Sequence, residues 1–74
     1  AGKKVVHAII EEAKEYLVEN GELWIVIQKK QGAPSAKAKM EEVYGNCEVV
    51  DKDKGYFILK SIRRWHYWKN LILL

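Results

Sequence analysis

The chain has 74 residues, of which 49% are hydrophobic and 31% charged, a composition typical of one small globular domain and not of a disordered or fibrous protein. Its net charge of +3 arises in the last twelve residues, where Arg63, Arg64 and Lys69 have no acidic neighbour; residues 1–62 carry the other 10 of the 13 basic side chains, which balance 10 acidic ones. This balance excludes a strongly basic nucleic-acid-binding domain, so any such role would depend on local clusters.

The few residues with metal or redox chemistry are isolated. A single cysteine, Cys47, excludes an internal disulfide and a cysteine-cluster metal site. His7 and His66 have no second histidine three or four residues away, so we expect no metal. No apolar run reaches the roughly 18 residues that cross a bilayer, and no signal-peptide cleavage site follows the N-terminal segment. We therefore expect a cytoplasmic protein that does not insert into membranes.

The first predicted element is an amphipathic helix. Across residues 5–18 the apolar side chains recur every three or four positions, and most charged side chains lie between them. Asn20 and Gly21 follow, and both suit the left-handed conformation in which helices commonly end. The pattern predicts a helix that stops at this pair.

A continuous apolar run at residues 23–27 comes next and is followed directly by Gln28 and two lysines. Because Gly21 and Gly32 bracket too few residues for a typical helix, the run favours a strand, and its lack of alternation predicts one covered on both faces. The loop QKKQGA then leads to Pro34, which suits the first turn of a second helix.

The second helix is predicted over residues 35–44, where apolar side chains share one face and Gly45 follows. NCEVVD and GYFILKSI are then two strand candidates around a hairpin turn at residues 52–55. The element order is helix, strand, helix, strand, strand. The crossing helix makes the first two strands parallel, and the short turn makes the last strand antiparallel.

The sequence contains no complete active site. The glycines stand at positions 2, 21, 32, 45 and 55, too far apart for a dinucleotide-binding turn or a phosphate-binding P-loop. Cys47 has no histidine near it in sequence, which favours a small buried hydrophobic residue over a nucleophile. Glu41 and Glu42 point about 100° apart on a helix, which indicates a solvated surface better than an acid/base pair.

Four short motifs resemble a known family. They are GELW at residues 21–24, KQGA at 30–33, YGN at 44–46 and KGY at 54–56. In this order and spacing they resemble the C-terminal portion of the small-domain methyltransferases, class I enzymes that depend on S-adenosylmethionine and that include ribosomal-RNA guanine-N2 methyltransferases. The similarity spans residues 1–62, and residues 63–74 form a basic aromatic tail outside the family pattern.

The resemblance implies an α/β fold that is part of a Rossmann-like methyltransferase sheet. Residues 22–28, 46–51 and 56–62 would form a three-stranded mixed sheet with the last strand antiparallel in the middle. Side chains leaving its carboxyl edge, where open α/β sheets bind ligands, could meet RNA phosphate, although a solvated loop is an equal alternative. These candidate substrate-rim residues are Lys29, Lys30, Gln31, Lys52 and Lys54.

In the family, the cofactor binds a glycine-rich loop and an Asn-Pro-Pro motif positions the target nitrogen. Both features lie upstream of the segment that is matched here. Pro34 is the only proline in the chain, so the motif is not present elsewhere in it. The resemblance therefore implies a methyltransferase fragment that binds no S-adenosylmethionine and is inactive alone, with neither catalytic nor cofactor-binding residues of its own.

The tail RRWHYWKNLILL leaves a second function open. A cationic aromatic segment could stack on bases or lie at a membrane interface. Stacking on bases would make the chain a non-catalytic module that binds RNA or protein. A tail that only covers exposed surface, or that is unselected sequence, is the simpler alternative. Residues 22–28 would also lack a partner strand on their outer edge, which invites association. We therefore expect a homo-oligomer whose interface includes Leu23, Ile25, Trp65 and Trp68.

Overall fold

The computed structural model describes residues 2–64, which form two α-helices, a short 3₁₀ helix and three β-strands. Helix α1 spans Lys3–Tyr16 and helix α2 spans Ala33–Tyr44. Strands β1, β2 and β3 span Glu22–Gln28, Glu48–Asp53 and Tyr56–Ile62, and the 3₁₀ helix spans Lys29–Gln31. The predicted order of helices and strands is confirmed. Of the predicted tail, the part after Arg64 lies outside the described residues.

Strand β3 lies between β1 and β2 and runs antiparallel to both. The predicted position and direction of the last strand are therefore confirmed. The prediction of a mixed sheet is wrong for the described residues, because every neighbouring pair is antiparallel. Strands β1 and β2 do run in the same direction, but the inserted β3 separates them and takes the hydrogen bonds of both.

Both helices lie on one face of the sheet. Helix α1 packs against α2, and alternate β1 side chains point toward the helices. The shared core consists of Ile10, Ile27, Ala33, Ala36, Met40, Tyr44 and Leu59. On the other face of β1, Trp24 is 51% and Val26 64% exposed. The prediction that β1 is covered on both faces is thus wrong within residues 2–64, since the two helices share one face.

Helix α2 follows its predicted pattern. Pro34 lies in the first turn, where its missing N–H is not needed. Gly45 ends the helix in the left-handed conformation (φ 78°), and its N–H donates to the Glu41 carbonyl at 2.8 Å. The buried hydroxyl of Tyr44 donates to the carbonyl of Ile10 at 2.9 Å, which ties α2 to α1.

Helix α1 ends earlier than predicted, at Tyr16, and Leu17 is extended (φ −85°, ψ 137°). The Nε–H of Arg63 donates to the carbonyl of Lys14 at 3.0 Å, so a side chain satisfies one of the terminal carbonyls that a left-handed residue often caps. Asn20 is left-handed (φ 66°), as its sequence suggested, but it lies in the turn before β1. No helix among the described residues is long and apolar enough to span a membrane.

Candidate functional site

The exit from β1 and the β2–β3 turn meet at one edge of the sheet. The backbone N–H of Lys29 donates to the carbonyl of Gly55 at 2.8 Å, which fixes the 3₁₀ helix against the hairpin turn. A depression of about 340 Å³ lies between the two segments. Its lining residues are Gln28, Lys29, Lys30, Lys54 and Gly55.

Three of the five candidate substrate-rim residues, Lys29, Lys30 and Lys54, therefore lie around one depression. Gln31 is exposed in the same 3₁₀ helix and lines a neighbouring groove. Lys52 is directed elsewhere: its Nζ lies 5.0 Å from the centroid of the Phe57 ring, within cation–π distance. The structure thus brings three of the lysines together and separates the fourth from them.

The lysines around this depression have no acidic partner among residues 2–64. No carboxylate in that part of the chain lies within ion-pairing distance of Lys29, Lys30 or Lys54. Several lysines elsewhere in the fold are paired. These pairs are Lys37 with Glu41, Lys39 with Glu11 and Glu42, and Lys60 with Glu48. Positive charge is therefore left uncompensated at this edge.

Sequence reasoning missed Lys3, the first residue of α1. A methyl group built on Gly32 would lie 3.8 Å from both Cγ and Cε of Lys3, so the lysine side chain passes beside the segment that links the 3₁₀ helix to α2. We define the basic edge as Lys3, Lys29, Lys30 and Lys54. The overlooked signal is the Lys3-Lys4 pair at a helix start without an acid in the first turn, since the helix dipole disfavours each cation there by roughly 0.3–1 kcal/mol.

Lys54 carries a second signal of this kind. It is the first central residue of a two-residue hairpin turn, with φ 48°, and Gly55 follows with φ 83°. Two positive φ angles define a type I′ turn, in which Asn, Asp or Gly is usual at the first position. A lysine therefore occupies a position where the backbone favours other residues, and such local conflicts tend to occur at functional sites.

A second depression, of about 390 Å³, follows the outer edge of β1. Val6 and Ile9 of α1 line it together with residues 25–28, Gln31 and Tyr56. Strand β1 has β3 on its other side and no neighbouring strand here among the described residues. An apolar groove thus accompanies an edge strand.

The predicted interface residues have different environments. Leu23 and Ile25 are partly buried against the core, on the face that the helices cover. Trp65 and Trp68 lie outside the described residues. The exposed apolar side chains of β1 are those of Trp24 and Val26 instead. The predicted interface remains a prediction.

Two further side chains with possible chemical roles, His7 and Cys47, make contacts within the fold. His7 Nε2 lies 2.9 Å from Ser35 Oγ, and this hydrogen bond joins α1 to the start of α2. The Cys47 thiol lies 3.9 Å from the sulfur of Met40, and burial raises the pKa of Cys47, which reduces its thiolate fraction. Among residues 2–64, no group of three His, Cys, Asp or Glu residues is placed to hold a metal ion.

Three of the five glycines are accounted for by turns, and no two of the five are closer than ten residues in the sequence. Gly32 precedes α2, Gly45 ends it, and Gly55 completes the hairpin. Each has a positive φ that its own turn requires. The residues present therefore do not supply the glycine-rich cradle that the methyltransferase resemblance implies for S-adenosylmethionine.

Comparison with known proteins shows which family and which relatives this chain is similar to. A family model described as methyltransferase small domain matches residues 1–60. The chain is 64% identical over 61 residues to the uncharacterized protein YbxB of Bacillus subtilis, a match that covers 82% of this chain and 30% of that protein. It is 32% identical over 60 residues to the ribosomal RNA large subunit methyltransferase G of Psychromonas ingrahamii, covering 81% of this chain and 15% of that protein.

The chain thus spans less than a third of the length of each of these two relatives. The family match nevertheless extends over most of the 74 residues and includes all the helices and strands described above, apart from the last residues of β3. On this basis the chain belongs to the methyltransferase small domain family.

Proposed function

We propose that this chain forms the C-terminal part of an S-adenosylmethionine-dependent methyltransferase domain that modifies ribosomal RNA at guanine N2. The observation that carries the proposal is the family match over residues 1–60. The 32% identity to a ribosomal RNA methyltransferase supports RNA as the substrate class, and the uncompensated lysines of the basic edge give that substrate a place to bind.

We propose further that the 74 residues alone neither bind S-adenosylmethionine nor transfer a methyl group. No two glycines are closer than ten residues, and Pro34 is the only proline, so the chain contains neither the glycine-rich loop nor the Asn-Pro-Pro motif of the family. In the intact family the cofactor supplies the methyl group. The part of this chain would be to support the sheet and orient the RNA.

Calorimetric titration tests the second proposal. S-adenosylmethionine added to the 74-residue chain is expected to give no binding heat, and the same titration of intact Bacillus subtilis YbxB serves as the comparison. Saturable binding to the 74-residue chain at a one-to-one ratio would contradict the claim that the cofactor site is incomplete.

A chimaera tests the first proposal. The segment of YbxB that matches this chain is replaced by the 61 matching residues of this chain, a change that alters about a third of the exchanged positions. The chimaera is incubated with S-adenosylmethionine and ribosomal RNA, and the nucleosides are analysed by mass spectrometry. We expect N2-methylguanosine from both proteins. A folded chimaera that binds the cofactor but leaves the RNA unmethylated would overturn the proposal.

A further inference from the structure

We propose that the basic edge, Lys3, Lys29, Lys30 and Lys54, binds successive phosphates of an RNA backbone. The inference rests on the proposed function, because it describes how the same methyltransferase would hold its substrate. It goes further by assigning the contact to four lysines from three separate segments, namely the start of α1, the 3₁₀ helix and the hairpin turn.

The position of these lysines suits a long anion. Lys29, Lys30 and Lys54 are exposed around one depression, and the bond between Lys29 N–H and the Gly55 carbonyl fixes their two segments relative to each other. Lys3 extends the surface toward α1 through its position beside Gly32. Exposed ammonium groups bind phosphate as point charges and release counterions from the nucleic acid.

The nearby acids do not cancel this charge. Asp51 accepts a hydrogen bond from the backbone N–H of Lys52 at 2.8 Å. Asp53 is exposed and forms no ion pair with Lys29, Lys30 or Lys54 within residues 2–64. Two lysines of the basic edge also occupy positions that the backbone disfavours. Lys3 lies at the start of α1, where the helix dipole disfavours a cation, and Lys54 has a left-handed conformation in which other residues are usual.

The lining of the depression favours a nucleic-acid backbone over a membrane surface. Its members are a glutamine, three lysines and a glycine, without an apolar side chain that could insert among lipid chains. Phosphate contacts of this type orient the nucleic acid but carry no sequence information. The choice of nucleotide would therefore belong to other parts of the intact enzyme.

Fluorescence anisotropy of a labelled ribosomal RNA fragment with the 74-residue chain tests the inference. The double variant K29Q/K54Q removes two charges from the basic edge, and K37Q/K60Q removes two charges from elsewhere in the fold. Loss of two phosphate contacts should raise Kd about tenfold and reduce the slope of log K against log salt by roughly 1.4–1.8, since each contact contributes about 0.7–0.9. K37Q/K60Q should leave the slope unchanged.

Further variants sharpen the test. K3Q is expected to reduce the slope by roughly half as much as the double variant, and circular dichroism checks that each variant is folded. Equal losses in K29Q/K54Q and K37Q/K60Q would show an effect of net charge only and overturn the inference. Unchanged binding in K29Q/K54Q would do the same, because the RNA would then bind elsewhere on the chain. Binding to vesicles containing anionic lipid that K29Q/K54Q weakens, without effect on RNA binding, would assign the edge to a membrane surface instead.

Methylation by the YbxB chimaera separates this inference from the proposed function. A chimaera that methylates RNA equally well with and without the K29Q/K54Q changes, at RNA concentrations below KM, would contradict the basic edge while sustaining the proposed function. Slope changes confined to K29Q/K54Q, together with an inactive chimaera, would sustain the basic edge and contradict the proposed function.

Discussion

Ile62 pairs with Glu22 on the β1 side of the sheet, and on the β2 side the side chain of Asn46 takes the place of a strand partner. Its Nδ2 donates to the Ile62 carbonyl at 2.8 Å, and its Oδ1 accepts the Ile62 N–H, also at 2.8 Å. The same Nδ2 lies 3.2 Å from the carbonyl of Tyr44, and the carbonyl of Asn46 accepts the buried Ser61 hydroxyl at 2.6 Å. One residue thus joins the end of α2 to the end of β3, which gives the YGN motif a structural role.

Asn46→Asp should therefore destabilise the fold strongly. The substitution keeps the side-chain shape but puts an oxygen where Nδ2 faces the carbonyl oxygens of Tyr44 and Ile62. Two lost hydrogen bonds in a partly buried site, with the acceptors left unpaired, should lower the free energy of unfolding by roughly 2–3 kcal/mol. Urea denaturation measures the change. Gln31→Glu makes the same chemical change at an exposed position and should stay within about 0.5 kcal/mol of the parent chain; a similar value for Asn46→Asp would contradict the assignment.

Tyr44→Phe tests the contact between the two helices. It removes the hydroxyl that donates to Ile10 and should cost about 1 kcal/mol. It should also change the alkaline limb of the stability profile. Burial raises the pKa of Tyr44, an effect that the charge of Arg63 partly offsets.

The sign of the pH effect follows from that shift. Because the folded pKa lies above the unfolded one, the stabilisation is complete below the unfolded pKa and is lost as pH rises through the folded pKa. Tyr44→Phe should therefore flatten the decline in stability above about pH 10. Tyr16→Phe is the matched control, because Tyr16 is exposed and should leave the decline unchanged. Equal pH profiles for the parent chain and Tyr44→Phe would argue against a buried phenol.

Much of the fold could be predicted because its signals are local. The period of α2, the Gly45 stop and the Lys54-Gly55 turn each depend on neighbours in sequence, and the structure has all three. The faces of β1 that the helices bury could not be predicted, since an unbroken apolar run does not show against which face each helix packs. That choice is tertiary, and the Tyr44–Ile10 contact across 34 residues is part of it.

The basic edge, too, could be predicted from the sequence only in part. Lys29 and Lys54 could be placed together from topology, because β3 returns beside β1 and brings the hairpin turn to the end of that strand. The same topology predicts Lys52 there too, but its ammonium group lies over the Phe57 ring, a contact that sequence spacing does not encode. Lys3 could not be placed without the direction of α1, although its position at a helix start was visible as an electrostatic conflict.

Lys54→Asn separates stability from binding at this edge. Asparagine accepts the left-handed conformation more readily than lysine, so the substitution should raise the free energy of unfolding by about 0.5 kcal/mol. The same substitution removes one positive charge and should weaken RNA binding severalfold. Urea denaturation and anisotropy measure the two effects on one protein. A gain in stability without loss of RNA affinity would remove Lys54 from the basic edge.

Self-association through β1 is the expected consequence of its apolar outer edge. In a twofold antiparallel pair centred on Ile25, Glu22 of one copy would lie opposite Gln28 of the second copy. Trp24 would lie opposite Val26 of the second copy, which would cover the two most exposed apolar side chains of the strand.

Val26→Glu and Val50→Glu distinguish the two edges of the sheet. Val50 is also exposed, but it belongs to β2, the strand at the opposite edge. Val26→Glu would bury a carboxylate beside Trp24 of the second copy, so this variant should sediment as a monomer. The parent chain and Val50→Glu should sediment as dimers at micromolar concentrations. A monomeric parent chain in the same concentration series would refute pairing, and dimers of both variants would move the interface away from β1. In a twofold pair through β1, both copies of residue 26 lie in the same interface, so the single substitution Val26→Glu acts twice on dimer formation. Val50→Glu lies at the other edge of the sheet and leaves that interface unchanged.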